Sequence, residues 1–269
     1  MTSSGVYVHG HAESVLRSHS WRTAANSAAY LVPELRAGLD LLDVGCGVGT
    51  ITADLAGLVA PGRVVGVDTS AVALQAAAAV ADAAGVAVAF EGAEATTLPF
   101  EDDSFDVVHA HQVLQHLADP VAALAEMRRV TRPGGVVAVR DADYAAMTWY
   151  PPSEGLSEWL ELYHEVADAN GVEADAGRRL HAWVRAAGFD PAGTTVSASA
   201  WCFATPEDRA WWSSTWAERV TGSQFARQAL GHGLADDVAL EALAEAWTAW
   251  GEEQDGWFAV LHGEVLARV

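Results

Sequence analysis

The sequence predicts an α/β fold in which helices cover both faces of a largely parallel sheet. Between Leu39 and Arg140, short Val- and Leu-rich runs alternate with longer stretches of helical periodicity. This alternation is typical of βαβ units, whose strands are buried on both faces and therefore read as continuous apolar runs. The chain has 269 residues, 51% of them hydrophobic, so it can bury one large core, although length alone also permits two small domains.

The first half of the chain is predicted to contain five strands and three helices. Apolar β-type runs indicate strands over residues 41–44, 64–67, 87–91, 105–109 and 136–140. Helical spacing predicts helices over residues 49–59, 70–84 and 121–130. Pro61-Gly62 and Gly85 end the first two helices, and Pro133-Gly134-Gly135 is predicted to form a turn before the fifth strand.

Past Tyr144 the character of the sequence changes, because aromatic residues recur amid helical spacing. They are Trp149, Tyr150, Trp159, Tyr163 and Trp183. We interpret this stretch as a lid or wall over the sheet edge. Later patterns predict a strand over residues 194–203, a helix that opens at Pro206 and carries Trp211, Trp212 and Trp216, a helix over 236–250 and a final strand over 257–269. No repeat or linker divides the chain, so a single domain is expected.

Charge and cysteine content narrow the classes of function. The formal net charge is −21, so the surface repels phosphate backbones and anionic lipid, and nucleic acid is not expected as a partner. The cluster of Arg128, Arg129 and Arg132 is interpreted as an ordinary helix end, where cations suit the helix dipole. Cys46 and Cys202 are too few for a disulfide framework and lack zinc-site spacing. With no signal-like N-terminus and no 18-residue apolar window, we expect a cytoplasmic protein without a membrane span.

The main chemical signal is a glycine-rich turn between the first strand and the first helix. Gly45, Gly47 and Gly49 let the backbone approach a ligand closely, but such loops also serve dinucleotides or act as plain turns. Asp68 ends the next strand about 20 residues on, where a carboxylate can accept both ribose hydroxyls. The alternative for Asp68 is a cap of the helix that begins near Ser70.

Two details separate this loop from a dinucleotide site. Its glycine spacing is one residue tighter than G-x-G-x-x-G, and the acidic residue Asp43 precedes it on the strand. S-adenosylmethionine has no pyrophosphate for a helix N-terminus to hold, but it has an ammonium group that an acid such as Asp43 can bind, directly or through water. The loop therefore favours S-adenosylmethionine over a nicotinamide dinucleotide.

Four stretches occur together and in order: LLDVGCGVGT, VVGVD, GAEATTLPFEDDSFDVVHAHQVLQHLADP and RVTRPGG. They resemble class I S-adenosylmethionine-dependent methyltransferases, in particular the branch similar to ubiquinone and menaquinone C-methyltransferases and small-molecule natural-product methyltransferases of secondary metabolism. Residues 20–35, SWRTAANSAAYLVPEL, also look like the helical cap of that branch. The resemblance implies a Rossmann-like, doubly wound sheet of seven strands with an antiparallel last strand. Residues 1–38 would form the cap, 39–144 the donor-binding core, and 145–269 the lid insertions with the last two strands.

The resemblance also implies a cofactor site for S-adenosylmethionine, with S-adenosylhomocysteine as the product. Gly45 and Gly47 would pack against the methionine part and Asp68 would bind the ribose, while Cys46, Gly49 and Thr69 complete the strand-end loops. Glu94 would accept a hydrogen bond from the adenine amino group, with the Ala95 N–H near the ring. Family members usually carry Asp at the position of Glu94, and a solvated loop acid is the alternative.

Polar residues follow the fourth strand, at the end of the sheet where ligands bind in this topology. His111 and Gln112 are expected to approach the methyl donor or the substrate, and His116 is included in the cofactor set. His111 is the candidate general base, since a histidine near its ordinary pKa can take a proton from a hydroxyl or amine. His109 and His116 could instead be satisfied packing residues.

Two further groups flank this site. Asp141, Asp143 and Tyr144 follow the fifth strand and could bind a substrate hydroxyl or amine, or simply cap the next segment. Near the N-terminus, a polar-aromatic cluster is expected to close over the pocket, and Arg22 is a candidate partner for the donor carboxylate. The other members of this cluster are His9, His11, His19 and Trp21. No metal site is predicted, because these histidines lack acidic partners at ligand spacing.

The sequence therefore predicts methyl transfer to O, N or C of a small, hydrophobic or aromatic acceptor. Methyl transfer from a sulfonium depends strongly on alignment, so acid–base machinery need not be elaborate. The Trp residues beyond position 144 could line an acceptor pocket or form the core of the lid. Alternatives are a donor-binding protein that catalyses another reaction, such as a cyclisation, a nicotinamide-dependent oxidoreductase, and an interaction module. A homodimer is compatible with the sequence, which does not identify the acceptor.

Overall fold

A mostly parallel sheet runs through residues 21–269, the part of the chain that the computed structural model describes. Its eight strands are β1 Leu41–Val44, β2 Val64–Asp68, β3 Ala89–Gly92, β4 Phe105–His111, β5 Thr131–Ala142, β6 Thr148–Tyr150, β7 Thr194–Phe203 and β8 Trp257–Arg268. The helices are α1 Ala24–Ser27, α2 Thr50–Val59, α3 Ala71–Ala84, α4 Pro120–Val130, α5 Glu154–Ala169, α6 Ala176–Ala186, α7 Pro206–Gly222, α8 Gln224–Gly231 and α9 Asp237–Glu252. Short 3₁₀ turns lie at Val32–Glu34, Leu114–His116, Tyr144–Ala146 and Pro191–Gly193.

The sheet order is β3-β2-β1-β4-β5-β8, with β7 on the far side of β8. Strands β1 to β5 are parallel, while β8 runs antiparallel to both β5 and β7. The predicted α/β class, with a sheet whose last strand is antiparallel, is confirmed. The eighth strand, β6, is a short addition that pairs with the start of β8 beyond the end of β5.

Local chemistry sets the element boundaries. Strand β1 is buried along its whole length, as its apolar run predicts. Helix α3 begins at Ser70, whose side chain accepts from the Ala73 N–H, and ends at Gly85 with a φ of 67°. Helix α4 begins at Asp119, whose carboxylate accepts from the Ala122 N–H.

The predicted turn at residues 133–135 lies inside β5 instead of before it. The pairing of β4 with β5 slips here, from Phe105 opposite Thr131 to Val107 opposite Val136. Gly134 has a φ of 82°, and its N–H donates to the Val269 carbonyl at 2.6 Å. The end of the chain therefore holds this irregular stretch within the sheet.

Part of the predicted N-terminal cap is described. Ala24, Ala28 and Leu31 are buried in one cluster with Leu41 and Ala138, so the segment covers one face of the sheet. Residues 1–20 of the predicted cap lie outside the described residues.

The lid is an aromatic core formed by α5, α7, α8 and α9 over the β8 end of the sheet. Trp159 packs edge-to-face against Trp216, with 4.5 Å between ring centroids, and against Trp247 at 4.8 Å. Helix α6 lies apart from it, because its buried Leu180 and Val184 belong to the cluster that contains α4 and the opposite face of the sheet. Within residues 21–269, no helix is both long enough and apolar enough to cross a membrane.

Candidate active site

The glycine loop joins β1 to α2 with three residues in the left-handed region. Gly45, Gly47 and Gly49 have φ values of 68°, 54° and 77°, backbone conformations that residues other than glycine rarely adopt. A Cβ on Gly45 would collide with the side chain of Val113, and one on Gly49 would lie 2.6 Å from the Cβ of Ala77. The loop therefore packs closely against its neighbours in the protein at Gly45 and Gly49.

Asp68 links the end of β2 to this loop. One carboxylate oxygen accepts from the Gly47 N–H at 3.0 Å, and the other accepts from the Ser70 N–H at 2.8 Å. The N-cap of α3 is Ser70, so Asp68 is not that cap. An ionised carboxylate has about four acceptor positions, and these two bonds leave room for a pair of hydroxyl donors.

Asp43 lies behind the loop, not in an open pocket. Its carboxylate is 3% exposed, with Oδ1 2.7 Å from Nδ1 of His109 and Oδ2 accepting from the Thr52 hydroxyl. His109 is thus paired through Nδ1, while its Nε2 is buried without a hydrogen-bond partner among the described residues, so only half of the ring is satisfied. Burial, followed by the charges of Asp43 and Asp68, raises the pKa of the Cys46 thiol, which therefore stays protonated.

The predicted adenine-side residues lie on the loop after β3. On this loop Glu94 is exposed and Ala95 is buried, while Thr69, directly after β2, is also exposed. Within residues 21–269, no hydrogen bond or ion pair to the Glu94 carboxylate is found, while the backbone of this loop reaches Asp68 through an Ala93 N–H bond at 3.2 Å. The loops that follow β1, β2 and β3 therefore meet at the carboxyl ends of these strands.

His111 ends β4 and is 6% exposed. Its ring lies 5.7 Å from that of Trp201 and 6.0 Å from that of His262, and neither of its nitrogens has a hydrogen-bond partner among the described residues. Burial is the main cause that lowers the pKa of His111, and the nearby guanidinium groups of Arg140 and Arg22 lower it further. The imidazole is therefore neutral near pH 7, but it is a weaker base than the histidine of ordinary pKa that the sequence argument assumed.

The two residues predicted beside His111 have different surroundings. Gln112 adopts a φ of 53°, a strained value for a residue other than glycine, and its N–H donates to the Arg140 carbonyl at 2.7 Å. His116 lies in the following 3₁₀ turn, with Nε2 3.0 Å from Nε2 of Gln115. Burial lowers the pKa of His116 to about 3.

A small aromatic cavity lies beside these residues, under the lid. It encloses about 20 Å³, room for about one water molecule. The lining residues are Trp21, Arg22, Gln112, Ala142, Tyr144, Met147, Trp201, Trp211, Trp212, Trp216, Arg219 and Val260. Of the predicted N-terminal cluster, Trp21 and Arg22 thus reach the cavity, while His9, His11 and His19 lie outside the described residues. Some of the Trp residues therefore line a cavity while others form the lid core.

The acids after β5 have structural partners. Asp143 caps the 3₁₀ turn through the Ala146 N–H and forms an ion pair with Arg178. Asp141 is fully buried and accepts from the Gln115 N–H at 3.2 Å, and burial raises its pKa to about 7. Capping, one of the two roles considered for these residues, describes Asp143 directly.

Sequence reasoning missed two residues of this region, His262 and Arg219, and it covered Trp201 only through the general expectation for Trp residues beyond position 144. Phe258, Val260, Glu264 and Leu266 share the phase of His262 along β8. Polar residues in the buried phase of an otherwise apolar strand are the signal that could have identified His262.

Comparison with known proteins gives consistent results. The model of the family described as "Methyltransferase domain" matches residues 35–188. An uncharacterized methyltransferase of Schizosaccharomyces pombe is 34% identical over 275 residues, covering 97% of this chain and 95% of the relative. The ubiquinone/menaquinone biosynthesis C-methyltransferase UbiE of Bdellovibrio bacteriovorus is 40% identical over 104 residues, which is 39% of this chain and 44% of that protein.

Solved structures show the same fold. The [4+2]-cyclase SpnF is 25% identical with a TM-score of 0.52, covering 97% of this chain and 88% of that one. A Haemonchus contortus phosphoethanolamine N-methyltransferase 2, solved with S-adenosylhomocysteine, is 19% identical with a TM-score of 0.58, covering 96% of this chain and 58% of that one.

Proposed function

The chain belongs to the methyltransferase domain family, and from that membership we propose that it transfers the methyl group of S-adenosylmethionine to an oxygen, nitrogen or carbon atom of a small, hydrophobic or aromatic substrate. The observation that carries this proposal is a junction between two sites. Val113 lies against Gly45 of the glycine loop, while the preceding residue, Gln112, lines the aromatic cavity. A methyl donor on the loop and a substrate in the cavity would therefore be neighbours, as an in-line transfer requires.

The residues of the loop fit S-adenosylmethionine, which supplies an activated methyl group on its sulfonium when it is bound. The left-handed conformations of the three glycines, with Gly45 packed closely on Val113 and Gly49 on Ala77, give the loop the tight turn that would receive the methionine part. Asp68 has unused acceptor positions for the ribose hydroxyls, and the exposed Glu94 carboxylate is free to accept from an adenine amino group, with the Ala95 N–H beside it. Cys46 and Thr69 complete the two loops as backbone neighbours.

Asp43 is not placed to bind the ammonium group of S-adenosylmethionine by direct contact. Both of its carboxylate oxygens are engaged, one by His109 and one by Thr52 in the first turn of α2. The carboxylate thus ties β1, β4 and α2 together around the loop. In this role Asp43 supports the shape of the loop, and its negative charge acts on a bound ammonium from behind.

At about 20 Å³ the cavity is too small for a substrate as it stands, so the side chains around it must move apart to admit one, and their character favours an apolar or aromatic body. The cavity walls are mainly indole and phenol rings, which bind flat apolar groups. The charged lining residues of the described chain are Arg22 and Arg219, and Arg22 lies 5.5 Å from the centre of the Trp201 ring. Arg22 is placed to meet a carboxylate at this junction, so the methionine carboxylate remains its proposed partner.

A binding and transfer experiment tests the proposal. We expect S-adenosylhomocysteine to bind in isothermal titration calorimetry and to raise the melting temperature, whereas NAD has no effect. Incubation with methyl-labelled S-adenosylmethionine and a panel of phenols, quinones and amines should move the label to at least one small molecule. Failure to bind S-adenosylhomocysteine would overturn the proposal.

A second candidate function is a reaction of the same site without methyl transfer, such as a cyclisation. It is favoured by the similarity to the [4+2]-cyclase SpnF, which extends over 97% of this chain. The two candidates separate cleanly in the labelling experiment. A cyclase would bind S-adenosylhomocysteine and convert a polyene substrate without consuming the labelled methyl group.

A further inference from the structure

Gln112 meets a buried histidine from the far end of the chain. Its amide nitrogen, Nε2, lies 2.8 Å from Nε2 of His262, 150 residues away on β8. His262 is fully buried, whereas Gln112 lines the aromatic cavity. The contact therefore joins the core of the sheet to the wall of the cavity.

The chemistry of His262 determines which way the Gln112 amide points. Nδ1 of His262 lies 3.0 Å from the Val260 carbonyl oxygen, which can only accept, so the ring proton is on Nδ1. Burial, then the charges of Arg140 and Arg22, lower the pKa of His262, so the ring stays neutral and its Nε2 carries a lone pair. That lone pair needs a donor, which Gln112 supplies with its NH₂ group. The amide oxygen of Gln112 is thereby turned away from His262.

This orientation matters because acceptors are scarce around the cavity. The guanidinium groups of Arg22 and Arg219 can only donate, as can the indole N–H groups of the lining Trp residues. The Tyr144 hydroxyl is already hydrogen-bonded to Tyr163. Among the lining side chains of the described residues, the oxygen acceptors are therefore the oriented Gln112 amide and the Tyr144 hydroxyl, which is already engaged by Tyr163.

We propose that His262 is a positioning residue that holds the oxygen of Gln112 toward the aromatic cavity, which thereby selects substrates that present a hydroxyl or amine hydrogen at that point. The proposal rests on the proposed function, since it assigns the substrate to this cavity. A ligand of the same shape without that hydrogen would leave the Gln112 oxygen buried and unsatisfied, which weakens binding.

A pair of matched ligands tests this selection. We would titrate the protein, saturated with S-adenosylhomocysteine, with 4-fluorophenol and separately with 4-fluorotoluene, whose methyl group is close in size to a hydroxyl but cannot donate, and follow the fluorine NMR signal of each. The wild-type protein should bind the phenol more tightly by a factor of about three to ten, the effect of one hydrogen bond. The preference should vanish in Gln112→Leu and in His262→Leu.

A conservative variant and a control exclude a merely structural effect. His262→Gln keeps an amide oxygen that can accept from Gln112, so it should retain the preference that His262→Leu loses. His181→Phe alters an exposed histidine on α6 and should change neither affinity. A melting curve for each variant shows that it is folded.

The possible failures point in different directions. Equal affinities in the wild-type protein, absence of 4-fluorophenol binding, or a preference that survives in both Leu variants would each overturn the proposal for Gln112 and His262. A loss of S-adenosylhomocysteine affinity in Gln112→Leu would also overturn it, by placing Gln112 on the cofactor. Lack of S-adenosylhomocysteine binding by the wild-type protein would instead be a failure of the proposed function.

Discussion

Asp68 is held by backbone N–H groups on both of its oxygens, and this arrangement makes it sensitive to a change of one atom. In Asp68→Asn, an NH₂ group replaces one acceptor and must face either the Gly47 N–H, the Ser70 N–H or the ribose. We predict that S-adenosylhomocysteine affinity falls by about 1.5–3 kcal/mol, the scale of a hydrogen bond to a charged group. Calorimetry measures this, with the exposed Asp82→Asn as the matched control. Unchanged affinity would remove Asp68 from the site.

His111 can act as a base only as a neutral imidazole, and its surroundings keep it neutral. Since its pKa is lowered, the acidic limb of the pH–rate profile should lie below about pH 6.5, the ordinary value. If His111 is the base, His111→Ala should lower kcat by about 10²–10⁴ and leave S-adenosylhomocysteine affinity nearly unchanged. Kinetics with an identified substrate test this. If His111→Ala kept the same acidic limb, or if His111→Gln kept most of the activity, His111 would not be the base and would only line the pocket.

Residue-scale expectations from sequence succeeded where a motif fixes local backbone and failed where a contact joins distant segments. Gly47 of the glycine loop and Asp68 are 21 residues apart, and motif spacing brings them together. The pairs Asp43–His109 and Gln112–His262 are separated by 66 and 150 residues. Periodicity indicates which face a residue occupies, but not which side chain on a neighbouring strand it meets.

The lid elements depend on the packing of a few large indoles. Trp247 is fully buried on α9, where it contacts Trp159 and stacks on Trp216. We predict that Trp247→Ala lowers the free energy of unfolding by about 3–5 kcal/mol, because it removes a large buried ring and leaves a cavity. Urea unfolding followed by circular dichroism measures the loss. Trp257→Ala, at a site that is 39% exposed, is the control, and an equal loss there would contradict the packing argument.

The boundaries of helices and strands were predicted closely where the sequence carries clear start or stop signals, such as a proline at the start of a helix. Strand β7 has the bounds that the pattern of small and β-branched residues predicts, and α7 begins at Pro206 as expected. The short β6 escaped prediction because it consists of three residues, too few to show a period. Helix α6 carries Trp183 but packs beside α4, since an aromatic residue in a helix does not indicate which face of the sheet it will cover.

At the scale of the whole molecule, an acidic surface surrounds an interior with buried cations. The chain carries a net charge of −21, yet Arg140 is buried at the centre of the sheet, where its Nε donates to Glu264 at 3.1 Å. The charge of Arg140 lowers the pKa values of both His111 and His262. Burial and this guanidinium together favour the neutral histidines on which both the proposed base and the oriented Gln112 depend.

The same histidines predict how the stability of the molecule depends on pH. His111, His116 and His262 have lowered pKa values in the folded state, so between those values and about 6.5 the unfolded chain binds more protons. The stability that comes from keeping these three histidines neutral is fully present above pH 6.5. It is lost as the pH falls from 6.5 toward their pKa values in the folded state. Asp141, raised to about 7, acts in the opposite direction between about pH 4 and 7.

Three histidines have lowered pKa values, whereas the pKa values of Asp141 and His164 are raised and act in the opposite direction. The unfolded chain should therefore bind more protons than the folded chain near pH 5, and the free energy of unfolding should fall as the pH drops from 6 to 5. Urea unfolding at several pH values measures this slope. His262→Gln removes one of the three histidines and should make this pH dependence shallower, while His181→Phe should leave it unchanged. If His262→Gln kept the wild-type slope, His262 would not be a buried neutral histidine, and the orientation it imposes on Gln112 would lose its physical basis.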